Sequence, residues 1–242
     1  APDSHTFSII SGNPNDGSGD VFEINAADGT VTLRDGSQLT DLVDTDVTLV
    51  VEVRDNDGAT DTTTINIDVI DRDLFISEYV EGTGSNQAIE LFNPTDAPID
   101  LSNYQLEIYT DGDSLTPTII PLAGLLIAID PNDPDAPAGG TTTVLDPGKT
   151  LVIANSAAVQ DLLDEANVVL PNLDFSGNDA VVLRNGLSIT DQLGRVGSDP
   201  GATGWVSTDG NKSTTDQTLI RIPGIFIGDP AGFDTTDITG LE

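Results

Sequence analysis

Between residues 5 and 71 the chain alternates apolar and polar positions in short runs: HTFSII, DVFEIN, TVTLR, VTLVVEVR and TTTINIDVID. A period of two puts successive side chains on opposite faces, so each run predicts a strand with one buried face. Turns rich in Asp, Asn and Gly separate the runs, among them the dipeptides Asp28-Gly29 and Asp35-Gly36. Residues 74–93, LFISEYVEGTGSNQAIELFN, read as two strands joined by a Gly/Ser/Asn loop, and NPTDAPIDLSNYQLEIY as a polar turn and another strand. Further on, Asn185-Gly186 between VVL and LSI predicts a hairpin, with residues 180–183 in the core. The single helix is expected over residues 155–167, capped by Ser156, with Val159, Leu162, Leu163 and Ala166 as its apolar stripe. The run IIPLAGLLIAI at 119–129 contains Pro121 and Gly124 and is too short for a membrane span, so it predicts buried strand and turn. Trp205, the only Trp, is expected to plug the core.

Composition narrows the function. The 242 residues carry 41 acidic and 8 basic groups, a formal charge of -33. That field repels phosphates and anionic membranes, and no basic patch interleaved with aromatics is present, so neither nucleic-acid binding nor membrane insertion is expected. It attracts divalent cations. With no Cys, disulfides and thiolate metal sites are unavailable. With no Met, the chain reads as a processed protein or a fragment, and Ala1 suits the position after a signal cleavage site. An extracellular or cell-surface location is expected.

The inventory for catalysis is thin. His5 is the only His, placed at the start of the first strand with no third group to orient it as a base. A phosphate-cradling Gly-rich loop with Lys does not occur, and zinc ligands are lacking. Carboxylate pairs abound by composition alone and so do not signal glycoside chemistry. The expectation is a chain that is not an enzyme.

Calcium is the chemistry these residues favour, because a hard cation takes six to eight oxygens from carboxylates, amides and carbonyls. Three loops offer them: NPNDGSGD with Asn13, Asn15, Asp16 and Asp20; DNDGATD with Asp55, Asp57 and Asp61; and DPNDPDAP with Asp130, Asn132, Asp133 and Asp135. A fourth cluster, Asp68, Asp71 and Asp73, lies at the expected domain junction. The competing reading is that Asp and Asn close turns through their own side chains and need no metal.

The order FSIISGN, VFEINAADGTVTL, LVVEVRDNDG and INIDVIDRD resembles a cadherin-like repeat whose first strand is missing. That resemblance implies that Asp71 and Asp73 bind calcium between modules, with Asp55 and Asp57 as partners from the neighbouring loop. The family's closing acidic run appears here only as Asp71-Arg72-Asp73, and DLVDTD at 41–46 lacks its usual Glu. Residues 74–242 resemble a lamin tail domain of the bacterial secreted type. The pieces that carry this are the opening at 74–93, DPGKTLVIANSAAVQDLLDEANV, DFSGNDAVVLRNG, ITDQLGRVGSDPG, Trp205 and TLIRIPGIFIGDPAGFDTT, in order. The stretch 110–147 is longer than the usual connection there and is expected to form an extra hairpin with an acidic loop.

The expected fold is therefore all-β: two immunoglobulin-like β-sandwich domains, residues 1–73 and 74–242, with one short helix in the second. The expected function is a non-catalytic extracellular module pair for adhesion or matrix assembly, stabilised by calcium. It would partner other surface proteins or itself, as a filament built by strand donation. The alternative is the accessory region of a secreted nuclease or phosphatase whose catalytic domain lies outside this chain.

Overall fold

The structure, a computed structural model, describes residues 4–34, 45–69, 72–113, 115–125, 127–128, 141–207 and 210–232. The chain divides into two compact units, Ala1–Asp71 and Arg72–Glu242. Arg72 and Asp73 belong to the second unit. The Arg72 guanidinium lies 5.1 Å from the centre of the Phe226 ring, and Asp73 accepts hydrogen bonds from Tyr104 and Asn185.

The first unit contains β1 (His5–Ser11), β2 (Phe22–Ile24), β3 (Val31–Leu33), β4 (Thr45–Asp55) and β5 (Thr60–Val69). An antiparallel sheet runs in the order β1-β4-β5, and β2 and β3 form a separate hairpin. The alternation holds on β4, where Val47, Leu49 and Val51 are buried between exposed Asp46 and Thr48. Val21, Phe22, Val47, Leu49 and Val69 make the core, with Ile9, Val31, Ile65 and Ile67 packed against it. At the Asp28-Gly29 turn, Asp28 Oδ1 accepts the Thr30 N–H at 2.9 Å and Gly29 sits at φ 77°. Asp35-Gly36 lies outside the described residues. Among the described residues β5 pairs with β4 alone.

In the second unit the chain forms β6 (Phe75–Glu81), β7 (Gln87–Phe92), β8 (Ile99–Asp100), β9 (Tyr104–Tyr109), β10 (Thr118–Pro121), β11 (Ile127–Ala128), β12 (Thr141–Thr142), β13 (Val144–Leu145) and β14 (Thr150–Asn155). Then come α1 (Gln160–Glu165), β15 (Val168–Leu170), β16 (Ala180–Asn185), β17 (Ser188–Leu193) and β18 (Gln217–Ile220). The main sheets run β10-β9-β16-β17 and β15-β14-β7-β6-β18, with β14 and β15 parallel. Ile76, Tyr79, Ile89, Leu91, Leu151 and Ile153 of one sheet join Leu106, Ile108, Ile120, Val181, Leu183 and Leu193 of the other in a single core. This is the all-β, immunoglobulin-like sandwich that the lamin tail resemblance implies. Trp205 is buried in the same core. Ile120 and Leu122 are buried and Gly124 turns at φ 79°, so the apolar run at 119–129 begins as strand and turn. The long connection carries the small hairpin β11–β12.

One local expectation is corrected. The helix is six residues, Gln160–Glu165, not the thirteen of 155–167, and Ser156 does not cap it. Asn155 is the last residue of β14, and its buried amide bonds Gln87, the Leu173 carbonyl and the Ala157 N–H. Asn86 Oδ1, from the turn after β6, accepts the Val159 N–H at 2.9 Å in place of a local cap. At the far end Ala166 is extended and Asn167 Oδ1 accepts the Val152 N–H at 2.7 Å. Long-range amides thus fix both ends, which a helical stripe does not encode. In the β16–β17 hairpin, Asn185 pairs with Ser188, so the two-residue loop is Gly186-Leu187 and Asn185 ends the strand.

Candidate functional site

The loop at 13–20 is closed by its own side chains. Asn13 clamps β2, donating to the Phe22 carbonyl at 2.7 Å and accepting its N–H at 3.0 Å. Asn15 Oδ1 accepts the Gly17 N–H and Asp16 Oδ1 the Ser18 N–H, both at 2.9 Å. Arg34 pairs with Asp16 at 3.0 Å and also donates to the Asp20 carbonyl. A guanidinium thus supplies positive charge among these acids. Residue spacing gave no sign of it, since Arg34 arrives from the far end of β3.

The second acidic loop is a tight turn. Asp55 Oδ1 accepts the Asp57 N–H at 2.9 Å and the Ala59 N–H at 2.8 Å, while Asp61 Oδ1 accepts the next N–H, that of Thr62, at 2.8 Å. The Asp57 side chain is exposed. Asp73 takes the Leu74 N–H at 2.6 Å, the Tyr104 hydroxyl and the Asn185 amide. It therefore joins β9 and β16 in the second unit. Asp71, Asp130, Asn132, Asp133 and Asp135 lie outside the described residues, as does the side chain of Asp68. Among the described residues, no three His, Asp or Glu converge closely enough to hold a metal ion.

A different site emerges from the second unit. Between the outer face of the five-stranded sheet and α1 lies an open cleft of about 210 Å³, lined by Glu78, Val80, Ala88, Glu90, Val152, Leu162 and Glu165. The register explains its layout. Glu78 on β6 stands opposite Glu90 on β7, and Val80 stands opposite Ala88. Val152 on β14 stands opposite Glu90 from the other side. Leu162 and Glu165 come from α1. Ser77 Oγ donates to Glu90 Oε1 at 2.6 Å. Burial pushes the Glu78 carboxyl above its ordinary pKa, and the charge of Glu90 adds to this. Among the described residues none of the three glutamates is ion-paired.

The family model of the lamin tail domain matches residues 71–197, more than half of the chain. The chain belongs to the lamin tail domain family. No curated protein matches it. Among solved structures it is similar to a DUF4876 family protein from Bacteroides thetaiotaomicron VPI-5482, at 15% identity and a TM-score of 0.22. That match covers 69% of this chain and 46% of the other, so this chain spans under half the length of that relative.

In the second unit Asp191, Asn93 and Glu107 are tied to the fold. Asp191, fully buried, accepts the Ile76 and Asp229 N–H groups at 2.8 and 2.7 Å and pairs with Arg221 at 2.7 Å. Asn93, also fully buried, donates to the Ala97 and Leu145 carbonyls and accepts the Thr95 N–H, which closes the turn read from NPTDAP. On the outer face of the four-stranded sheet, Glu107 pairs with Arg184 at 2.7 Å and accepts hydrogen bonds from Gln105 and Tyr109. Sequence reasoning missed the cleft, because Glu78, Glu90 and Glu165 are far apart in the chain. The one available signal was Glu90, an acid set between apolar neighbours in IEL.

Proposed function

We propose that this chain is a non-catalytic extracellular module pair: a cadherin-like unit followed by the lamin tail domain, acting in adhesion or matrix assembly. The observation that carries the reading is how the lamin tail domain uses its buried polar side chains. Asp191 and Asn93 are both fully engaged by backbone groups or an ion pair, and Asp73 is held by its neighbours in the same way. Such groups hold a scaffold rather than stand ready to exchange protons with a substrate. The test is turnover of phosphate esters and of nucleic acid by the purified chain with calcium, magnesium or manganese. Robust turnover that a single substitution in this chain abolishes would overturn the reading.

Calcium is the proposed stabilising ion of the first unit, at Asp55, Asp57, Asp61 and Asp71. Exposed Asp57 is the described member of this set with the most freedom to turn toward a cation. Copy-to-copy strand donation is the proposed mode of assembly. It is supported by β5, a ten-residue strand that among the described residues pairs only with β4, because an open strand edge suits an added strand. Light scattering in calcium tests it, and a strict monomer at high concentration would rule it out.

A further inference from the structure

We propose that the cleft between the five-stranded sheet and α1 binds the lysine side chain of a basic partner polypeptide. The proposal rests on reading the lamin tail domain as an interaction module. The cleft offers two chemistries in one place. Val80, Ala88, Val152 and Leu162 give an apolar bed, and Glu78, Glu90 and Glu165 give negative charge around it. A lysine has the matching two parts, a four-carbon stem and a compact ammonium with three donors. Stems of this kind lie along apolar surface while the charged head finds polar partners. The Glu78–Glu90 pair is two residues along the strands from the Val80–Ala88 pair, a rise of about 7 Å. That offset suits an ammonium at one end and methylenes at the other.

The free protein carries an uncompensated cost at this point. Like charges directly opposite on neighbouring strands repel, and Glu78 is also partly removed from water. A bound cation relieves both. A bare divalent ion does not suit the bed, because calcium takes oxygen on all sides and four of the seven lining residues are apolar. A guanidinium suits it less than an ammonium, because its planar fork is shaped for two oxygens of one carboxylate rather than for three separate ones. The partner is a different chain. The chain's formal charge of -33 draws a basic polypeptide to this face.

The test is an NMR titration of the isotope-labelled full chain with a capped five-residue glycine peptide bearing a central lysine. Parallel titrations use norleucine or arginine at the same position, and cadaverine as a free diamine. Saturable shifts are expected at Val80, Ala88, Glu90, Val152, Leu162 and Glu165. The norleucine peptide should produce none, and the arginine peptide should bind more weakly. The double substitution Glu78→Gln with Glu90→Gln should weaken lysine binding on the order of tenfold or more. Asp146→Asn, an exposed acid outside the cleft, should leave it unchanged. Equal response to norleucine, or shifts scattered over the acidic surface, would overturn the site. Tighter binding of cadaverine than of the lysine peptide would overturn the polypeptide assignment. A failed titration leaves the module reading standing, since that reading is decided by turnover.

Discussion

Asp191 and Arg221 form an ion pair at 2.7 Å, with the carboxylate fully buried. Their elements are far apart in sequence, Asp191 on β17 and Arg221 just past β18. The Arg221 N–H also donates to the Ser77 carbonyl at 2.8 Å. The pair and the Ile76 N–H that Asp191 accepts bind β17, β6 and the segment after β18 at a single point. Removing one partner strands a buried charge, which costs about 3–5 kcal/mol. Arg221→Ala is therefore expected to lower stability by about that amount, read as a shift of the urea midpoint by circular dichroism. An unchanged midpoint would show that the pair is dispensable.

Glu78→Gln is expected to stabilise the protein at neutral pH. Burial and Glu90 raise the carboxyl's pKa in the folded state, so the ionised form is disfavoured there relative to the unfolded chain. Stability is complete below the unfolded carboxylate pKa and declines as pH rises through the folded value. The gain should be about 0.2–1 kcal/mol, the size of a cross-strand pair effect. It should vanish in acid, where Glu78 is already neutral. Melting curves at pH 7 and in acid decide this.

Glu107 behaves in the opposite sense. Burial raises its pKa, but hydrogen bonds from Arg184, Tyr109 and Gln105 outweigh this and hold it below the ordinary value. Its contribution is present above the unfolded pKa and is lost as pH falls through the folded one. Glu107→Gln should lower the melting temperature at pH 7, and the gap to the parent should close below about pH 4. A gap of constant size would assign the loss to packing.

Gly194 is expected to accept no other residue. It sits at φ 80°, and a Cβ there would come within 2.4 Å of Trp205 Nε1. The backbone term alone costs about 1–3 kcal/mol, and the indole, packed in the core, has nowhere to move. Gly194→Ala should therefore destabilise by more than Gly186→Ala, where the same backbone sign meets open space. Equal losses at the two sites would show that the Trp205 contact adds nothing.

Calcium is expected to raise the melting temperature in low salt, by about 2.7 kcal/mol of stability at a hundredfold excess over Kd. Asp57→Asn and Asp71→Asn should reduce that gain more than Asp35→Asn. A chelator without effect on the melt would remove calcium from the account.

The strands were legible because the period-two pattern is local: β4, β5, β7 and β16 each announce themselves by alternation or by a short apolar run. The turn at Asn93 was legible for the same reason, since its amide bonds residues two and four positions on. The helix ends were not, because Asn86 and Asn167 reach α1 and β14 from distant positions. The Asp16–Arg34 pair was hidden in the same way, since the two lie eighteen residues apart. The cleft was invisible because strand register, not sequence distance, brings Glu78 to Glu90.

The burial of Trp205 has a spectroscopic consequence. The chain's single Trp and its three Tyr, at 79, 104 and 109, all lie in the second unit, whereas residues 1–71 hold neither Trp nor Tyr. Intrinsic emission excited at long wavelength therefore follows one unit alone, and the other melts in the dark. A biphasic far-ultraviolet transition accompanied by a single emission transition would assign each step to its unit without any label.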